Sequence, residues 1–168
     1  AFSGCAKLGK INLPEGLCYI GHGAFDGTSA LNTIEFPESL RYIGGGAFYS
    51  SGLKGTLKIP AGVTNLQGNA FGHCGGVSEV KIPDTVEQIH GSALDFKYDA
   101  SNAKDQTFFI PPSVYYLTRD SLTPRFANQV EWPAHTIQGI KGSYASNATK
   151  IQNTWKFEEV AYNSKAVF

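Results

Sequence analysis

Ile34-Glu35-Phe36-Pro37-Glu38-Ser39-Leu40-Arg41-Tyr42-Ile43-Gly44-Gly45-Gly46-Ala47-Phe48 is the stretch on which the fold turns. Two apolar residues bracket a charged one just before a proline. Leu40 and Ile43 follow at a spacing of three, and a glycine run leads to Ala47-Phe48. The same arrangement returns along the chain, because Pro14, Pro37, Pro60 and Pro83 stand 23 residues apart. Pro111 follows after 28 residues and Pro133 after 22.

Aligned on the prolines, the other columns agree. Ile11, Ile34, Leu57, Val80, Phe108 and Val130 stand three residues before them, and Leu13, Phe36, Ile59, Ile82, Ile110 and Trp132 one before. Val or Leu follows at three and Ile or Leu at six. Phe25, Phe48, Phe71, Leu94, Leu122 and Tyr144 stand eleven residues beyond, each preceded by Ala or Ser. Fixed-period similarity of this kind is the signature of a repeat architecture, in which each unit exposes an apolar ridge that only a neighbouring unit can cover. About six units of 23 residues are expected, stacked so that like side chains lie on like.

Within a unit, Ile34-Glu35-Phe36 and Val80-Lys81-Ile82 alternate apolar with polar, the period-two pattern of a half-buried strand. The proline closes the strand because it has no N–H to continue a ladder. The next piece, such as Leu40-Arg41-Tyr42-Ile43, has a spacing of three that fits either an extended segment or a tight helical turn. The expected fold class is mostly β with little helix: a leucine-rich-repeat solenoid with a parallel concave sheet.

These units resemble the BspA-like class of bacterial leucine-rich repeats. The resemblance rests on the Ile-x-Ile-Pro-x-x-Val-x-x-Ile-Gly-x-x-Ala-Phe pattern and on trailing turns such as Ser3-Gly4-Cys5 and Gly72-His73-Cys74, and it covers residues 1 to about 125. It implies a curved solenoid, commonly secreted or surface-attached in host-associated bacteria and also found in some parasitic protists, with adhesion and partner binding as the usual inferred role. Residues 1–133 are expected to form the repeats, a fragment of a longer array, since Ala1-Phe2 already occupies the Ala-Phe column. Residues 134–168 are expected to be a degenerate last repeat and C-terminal cap. There Ile137 and Ile140 depart from their columns, and Trp155-Lys156-Phe157 reads as a final degraded strand.

The residues between the ridge positions of each strand should face outward. They are Lys10 and Asn12, Thr33 and Glu35, Thr56 and Lys58, Glu79 and Lys81, Thr107 and Phe109, then Gln129 and Glu131. Glu35, Lys58, Glu79, Lys81, Thr107, Phe109, Gln129 and Glu131 are therefore ligand-binding candidates, and equally suit a solvated face that resists edge pairing. Phe109 stands out as an aromatic in a polar column, the kind of residue enriched at binding hot spots. Five extra residues fall between Leu94 and Pro111. Insertions in repeats map to loops, often on the working face, so residues 95–105 are a second candidate region. Phe96 and Tyr98 within it either reach a partner or pack over the unit below.

The chemical signals are weak. Lys plus Arg equals Asp plus Glu at 14 each, so no long-range field draws the chain to nucleic acid. No apolar run approaches the roughly 20 residues of a membrane span. Gly21-His22-Gly23 imitates a phosphate loop, but the matching Gly44-Gly45-Gly46 marks both as repeat turns. His22, His73, His90 and His135 lack metal spacing and read as solvated turn residues. Cys5, Cys18 and Cys74 form no framework and read as small apolar fillers. Asp95, Asp99 and Asp105 lack the oxygen alternation and central glycine of a calcium loop. No nucleophile motif is present, so neither cofactor nor metal is expected, nor enzymatic activity.

The functional expectation is an extracellular or cell-surface binding module. It recognises a protein, such as a host matrix protein, or a mucin glycan through the concave sheet and the 95–105 insertion. A structural spacer presenting another domain is the alternative, with a glycan-active enzyme domain behind it.

Overall fold

The computed structural model describes residues 1–96, 107–117, 135–139 and 155–159. Among them are ten short strands and no helix. In chain order these are β1 (Tyr19–Ile20), β2 (Tyr42–Ile43), β3 (Lys54–Lys58), β4 (Asn65–Leu66) and β5 (Gly76–Lys81). They continue with β6 (Gln88–Ile89), β7 (Thr107–Phe109), β8 (Tyr116–Leu117), β9 (His135–Gly139) and β10 (Trp155–Glu159). Every strand pairing is parallel.

Each unit traces three sides. The first is the strand before the proline: β3 pairs with β5, and β7, β9 and β10 form a three-stranded sheet. The proline then opens a turn, its carbonyl accepting from the N–H three residues on, as in Leu40 to Pro37, Val63 to Pro60 and Val86 to Pro83, all at 3.0 Å. The second side is the ambiguous apolar segment, which is extended: β1 pairs with β2, and β4, β6 and β8 form a ladder. Their registers join equivalent residues, Tyr19 to Tyr42 and Asn65 to Gln88 at one repeat and Gln88 to Tyr116 across the insertion.

The third side is the Ala-Phe turn, which also ladders. Phe2 N–H donates to Ala24 O at 2.7 Å, Phe25 to Ala47 at 2.7 Å, Phe48 to Ala70 at 2.8 Å and Phe71 to Ala93 at 3.0 Å. Turns bonded to the next unit in this way leave few backbone groups without partners in the stack. Two positions of the turns recur with a left-handed backbone. One is held by Gly23, Gly46, Asn69 and Ser92, with φ of 59, 63, 58 and 56°. The other is held by Gly4, Gly27, Ser50 and His73, with φ of 74, 69, 52 and 60°. Glycine takes this conformation freely, whereas an L side chain strains it.

The interior is built by like on like. The rings of Phe2, Phe25, Phe48 and Phe71 stack at centroid separations of 5.3, 5.0 and 5.3 Å, the inner two pairs within 5° of parallel. Phe48 and Phe71 are wholly buried, as are Leu40, Ile43, Leu66 and Ile89 from the second side. Buried aliphatic and aromatic side chains of this size contribute roughly 1.5–3 kcal/mol each in transfer energy. Cys74 lies in the ladder of Thr28 and Ser51, its thiol donating to Phe48 O at 3.1 Å. Burial raises its pKa to about 11. The filler reading therefore holds for Cys74 but not for Cys5 and Cys18, which are exposed.

Two expectations about the strands are corrected. The alternation in Lys10–Leu13 and Thr33–Phe36 is as regular as in later units, yet neither segment forms a strand. The apolar position before the proline is Leu or Ile in most units but Phe36 here. Its ring stands edge-on to Phe48 at 5.6 Å and to Phe71 at 6.3 Å. Phe36 is only half-buried, and Leu13 holds the same position in the other segment that forms no strand. Second, the strand beside β7 is β9, joining Phe108 to Ile137, rather than a segment at Val130–Trp132.

Candidate functional site

The outward positions of β3 and β5 lie where the period places them. Thr56, Lys58 and Glu79 are exposed and Lys81 half-exposed, while Leu57 and Val80 point into the core. Thr33 and Glu35 are exposed on the neighbouring segment. Thr56 Oγ1 donates to Glu79 Oε2 at 2.8 Å, which fixes that carboxylate across the ladder. Lys58 and Lys81 are direct partners in the β3–β5 register. Like charges placed side by side on a sheet are destabilising. Neither lysine has an ion-pair partner among the described residues.

The missing strand at Thr33–Phe36 opens this face. Lys54 N–H still donates to Asn32 O at 3.0 Å, but the ladder stops there. Between that segment and β3 lies a depression of about 590 Å³, lined by Glu35, Phe36, Thr56, Lys58, Ile59 and Lys81 among others. One repeat earlier, a second depression of about 370 Å³ is lined by Lys10, Asn12, Glu15 and again Glu35. Glu35 therefore forms part of both. The unpaired edge of β3 and the lysines beside it make a polar slot with an apolar lining.

The remaining candidates fall differently. Phe109, at the end of β7, is half-buried. Thr107 begins the same strand, and the backbone register sets it opposite Thr136 of β9. Phe96 is only 3% exposed and joins the core, so it is withdrawn as a contact residue in favour of packing. The apolar ring is held down with Asp95, which is also buried and whose carbonyl accepts from His73 N–H at 2.6 Å. Tyr98, Gln129, Glu131 and most of the 95–105 insertion, with Asp99 and Asp105, lie outside the described residues.

Along the turn side runs a further groove of about 390 Å³, touching His22, Asp26, Tyr49, His73 and Asp95. His22 is exposed, and its Nδ1 meets Gly45 O of the next unit. His73 and His90 are half-buried, their rings tilted against Tyr49 at 4.6 Å and Tyr116 at 5.1 Å, which corrects the picture of freely solvated rings. Desolvation lowers the His73 pKa, favouring the neutral ring. Among the described residues no cluster of three or more His, Cys, Asp or Glu is placed to hold a metal ion. No helix among them is long and apolar enough to cross a membrane.

Sequence reasoning passed over the outward column of the second side. Tyr19 is 60% exposed and stacks on Tyr42 at 4.6 Å, only 4° from parallel. Tyr115 and Tyr116 are 55% and 41% exposed. The signal was available, because each outward residue directly precedes the buried Ile or Leu six places after the proline.

Comparison with known proteins agrees with this construction. The family model described as the BspA type leucine rich repeat region matches residues 1–124 in six copies. A crystal structure of a leucine-rich repeat protein from Bacteroides ovatus is similar over 100% of this chain and 50% of that one, with a TM-score of 0.57 and 22% identity. At that identity the likeness is one of fold alone, and the chain spans half the length of that protein. No curated protein matches the sequence. A 23-residue register carried by backbone ladders on three sides, matched by six family copies, places the chain in the BspA-type leucine-rich repeat family.

Proposed function

We propose that this chain is a binding module of a secreted or cell-surface protein, which recognises a protein partner through the outward face of β3 and β5. Its repeats would continue as a solenoid with that face on the concave side. Leucine-rich repeats stack into extended surfaces suited to partner contact. The observation that carries the reading is the Lys58–Lys81 pair. Two ammonium groups sit in direct register with no ion-pair partner among the described residues, at a slot that also carries Glu35 and Glu38, while the nearby Glu79 carboxylate is held by Thr56. A like-charge pairing that breaks a local rule of sheet stability marks a candidate functional place.

The partner that fits is an acidic surface segment. Its carboxylates would neutralise Lys58 and Lys81 while an apolar side chain enters between Phe36 and Ile59. Phe109, further along the face, would supply an aromatic contact. Adhesion to a host matrix protein or a mucin falls within this reading.

The test is surface plasmon resonance against immobilised fibronectin, fibrinogen, laminin and mucin, with the wild type and the Lys58→Glu/Lys81→Glu double variant. Saturable binding to one of them should weaken at least tenfold in the double variant, about 1.4 kcal/mol, and fall as salt rises. Binding that is identical in wild type and variant, or absent from every surface, would remove this face from consideration.

A further inference from the structure

The second side of the units carries a surface of a different chemistry. Its outward column runs Tyr19, Tyr42, Asn65, Gln88 and Tyr116, alternating with the buried Ile20, Ile43, Leu66, Ile89 and Leu117. No member of the column is charged. At one end Tyr19 and Tyr42 form a near-parallel stack. At the other, Gln88 Nε2 donates to Tyr115 OH at 2.7 Å, and Gln88 Oε1 lies 3.2 Å from His90 Nε2. The His90 ring also lies 5.1 Å from that of Tyr116, tilted by 46°, so this end is a preassembled aromatic and amide cluster.

We propose that this column binds an extended, uncharged polysaccharide laid across the strands. The C–H face of a pyranose ring packs against an aromatic ring, and its hydroxyls both donate to and accept from amides and phenols. The column supplies both kinds of group. Within each of the two ladders, β1–β2 and β4–β6–β8, adjacent parallel strands lie roughly 4.8 Å apart, about the length of one sugar unit, so consecutive sugars meet consecutive repeats. Charge complementarity selects a neutral polymer. Of the two charges in the neighbouring column, Arg41 donates through Nη1 to Glu38 O at 2.6 Å and Leu40 O at 3.1 Å, while Glu87 would repel an acidic chain. Tyrosine also presents a large contact area at low entropic cost, since few torsions are frozen.

This site is separate from the Lys58–Lys81 face, and the experiment keeps the two apart. Isothermal titration would use soluble mixed-linkage β-glucan and galactomannan as neutral probes and polygalacturonate as the acidic one. The proteins would be the wild type, Tyr42→Ala, Tyr116→Ala, Tyr42→Phe and the Lys58→Glu/Lys81→Glu variant. At least one neutral polymer should bind. Tyr42→Ala and Tyr116→Ala should each weaken it about tenfold, Tyr42→Phe should keep the stacking and most of the affinity, and the lysine variant should bind as the wild type. Unchanged far-ultraviolet circular dichroism confirms that these surface changes leave the fold intact. The proposal is overturned if neither neutral polymer binds, if polygalacturonate binds better, or if the alanine variants keep full affinity.

Discussion

Replacing Phe48 by alanine tests the interior at its centre. The ring is 0% exposed, stacked between Phe25 at 5.0 Å and Phe71 at 5.3 Å, with Phe36 edge-on at 5.6 Å. Removing a buried phenyl group from a close-packed core costs roughly 3–5 kcal/mol through lost transfer energy and a residual cavity. Three aromatic neighbours place Phe48 at the upper end, near ~4–5 kcal/mol, because each ring pair adds about 0.5–1.5 kcal/mol beyond area. Phe2 is the internal control. It occupies the same column but is 38% exposed and has one stacking neighbour, Phe25 at 5.3 Å. Its truncation should cost about 1 kcal/mol. Urea unfolding followed by far-ultraviolet circular dichroism measures both. A domain of this kind has about 5–15 kcal/mol in total, so Phe48→Ala should move the midpoint far to low denaturant. Equal costs for the two variants, or a Phe48→Ala cost within the roughly 0.5 kcal/mol usual for surface changes, would refute the continuous aromatic ladder.

Two further outcomes follow from the turns and the thiol. Ser50 adopts φ of 52° where equivalent units carry Gly4 and Gly27. Relief of about 1–2 kcal/mol of left-handed strain, less roughly 0.5–1 for glycine entropy, predicts that Ser50→Gly stabilises by about 0.5–1 kcal/mol. A lower urea midpoint for Ser50→Gly would contradict this. Cys74, with its thiol pushed up to about 11, should resist iodoacetamide at pH 8 while Cys5 and Cys18 react, as read by peptide mass spectrometry. Because the folded pKa lies above the unfolded one, stability is retained below the unfolded value of 9.0 and lost as pH rises towards 11. A Cys74→Ser variant that declines equally over that window would show that the thiol is not responsible.

Much of this architecture was legible because the ladder residues repeat in identity as well as in spacing. Ile43, Phe48 and Leu66 could be placed inside from the period alone, and Lys58 and Lys81 outside. What was not legible depends on contacts between units. Ile11-Asn12-Leu13 and Ile34-Glu35-Phe36 have the same alternation as Val80-Lys81-Ile82, yet only the last pairs in a ladder, and the period alone does not tell them apart. Ser50, His73 and Ser92 gave no sign of their left-handed backbones, since glycine marks those columns only in the earlier units. Spacing placed a strand at Val130–Trp132, whereas β7 pairs with β9 at His135–Gly139. Phe96 was ambiguous because an aromatic in an insertion can serve core or partner equally well.

The stack is held by turns that bond to the next unit as well as within their own. Through-hydrogen-bond scalar couplings, measured by nuclear magnetic resonance on the isotope-labelled chain, report those partners directly. Couplings from Phe25 N to the Ala47 carbonyl carbon, Phe48 N to Ala70 and Phe71 N to Ala93 are expected, matching bonds of 2.7, 2.8 and 3.0 Å. Their absence, or couplings from these amides to carbonyls of their own turn, would contradict the stacking of one repeat upon the next.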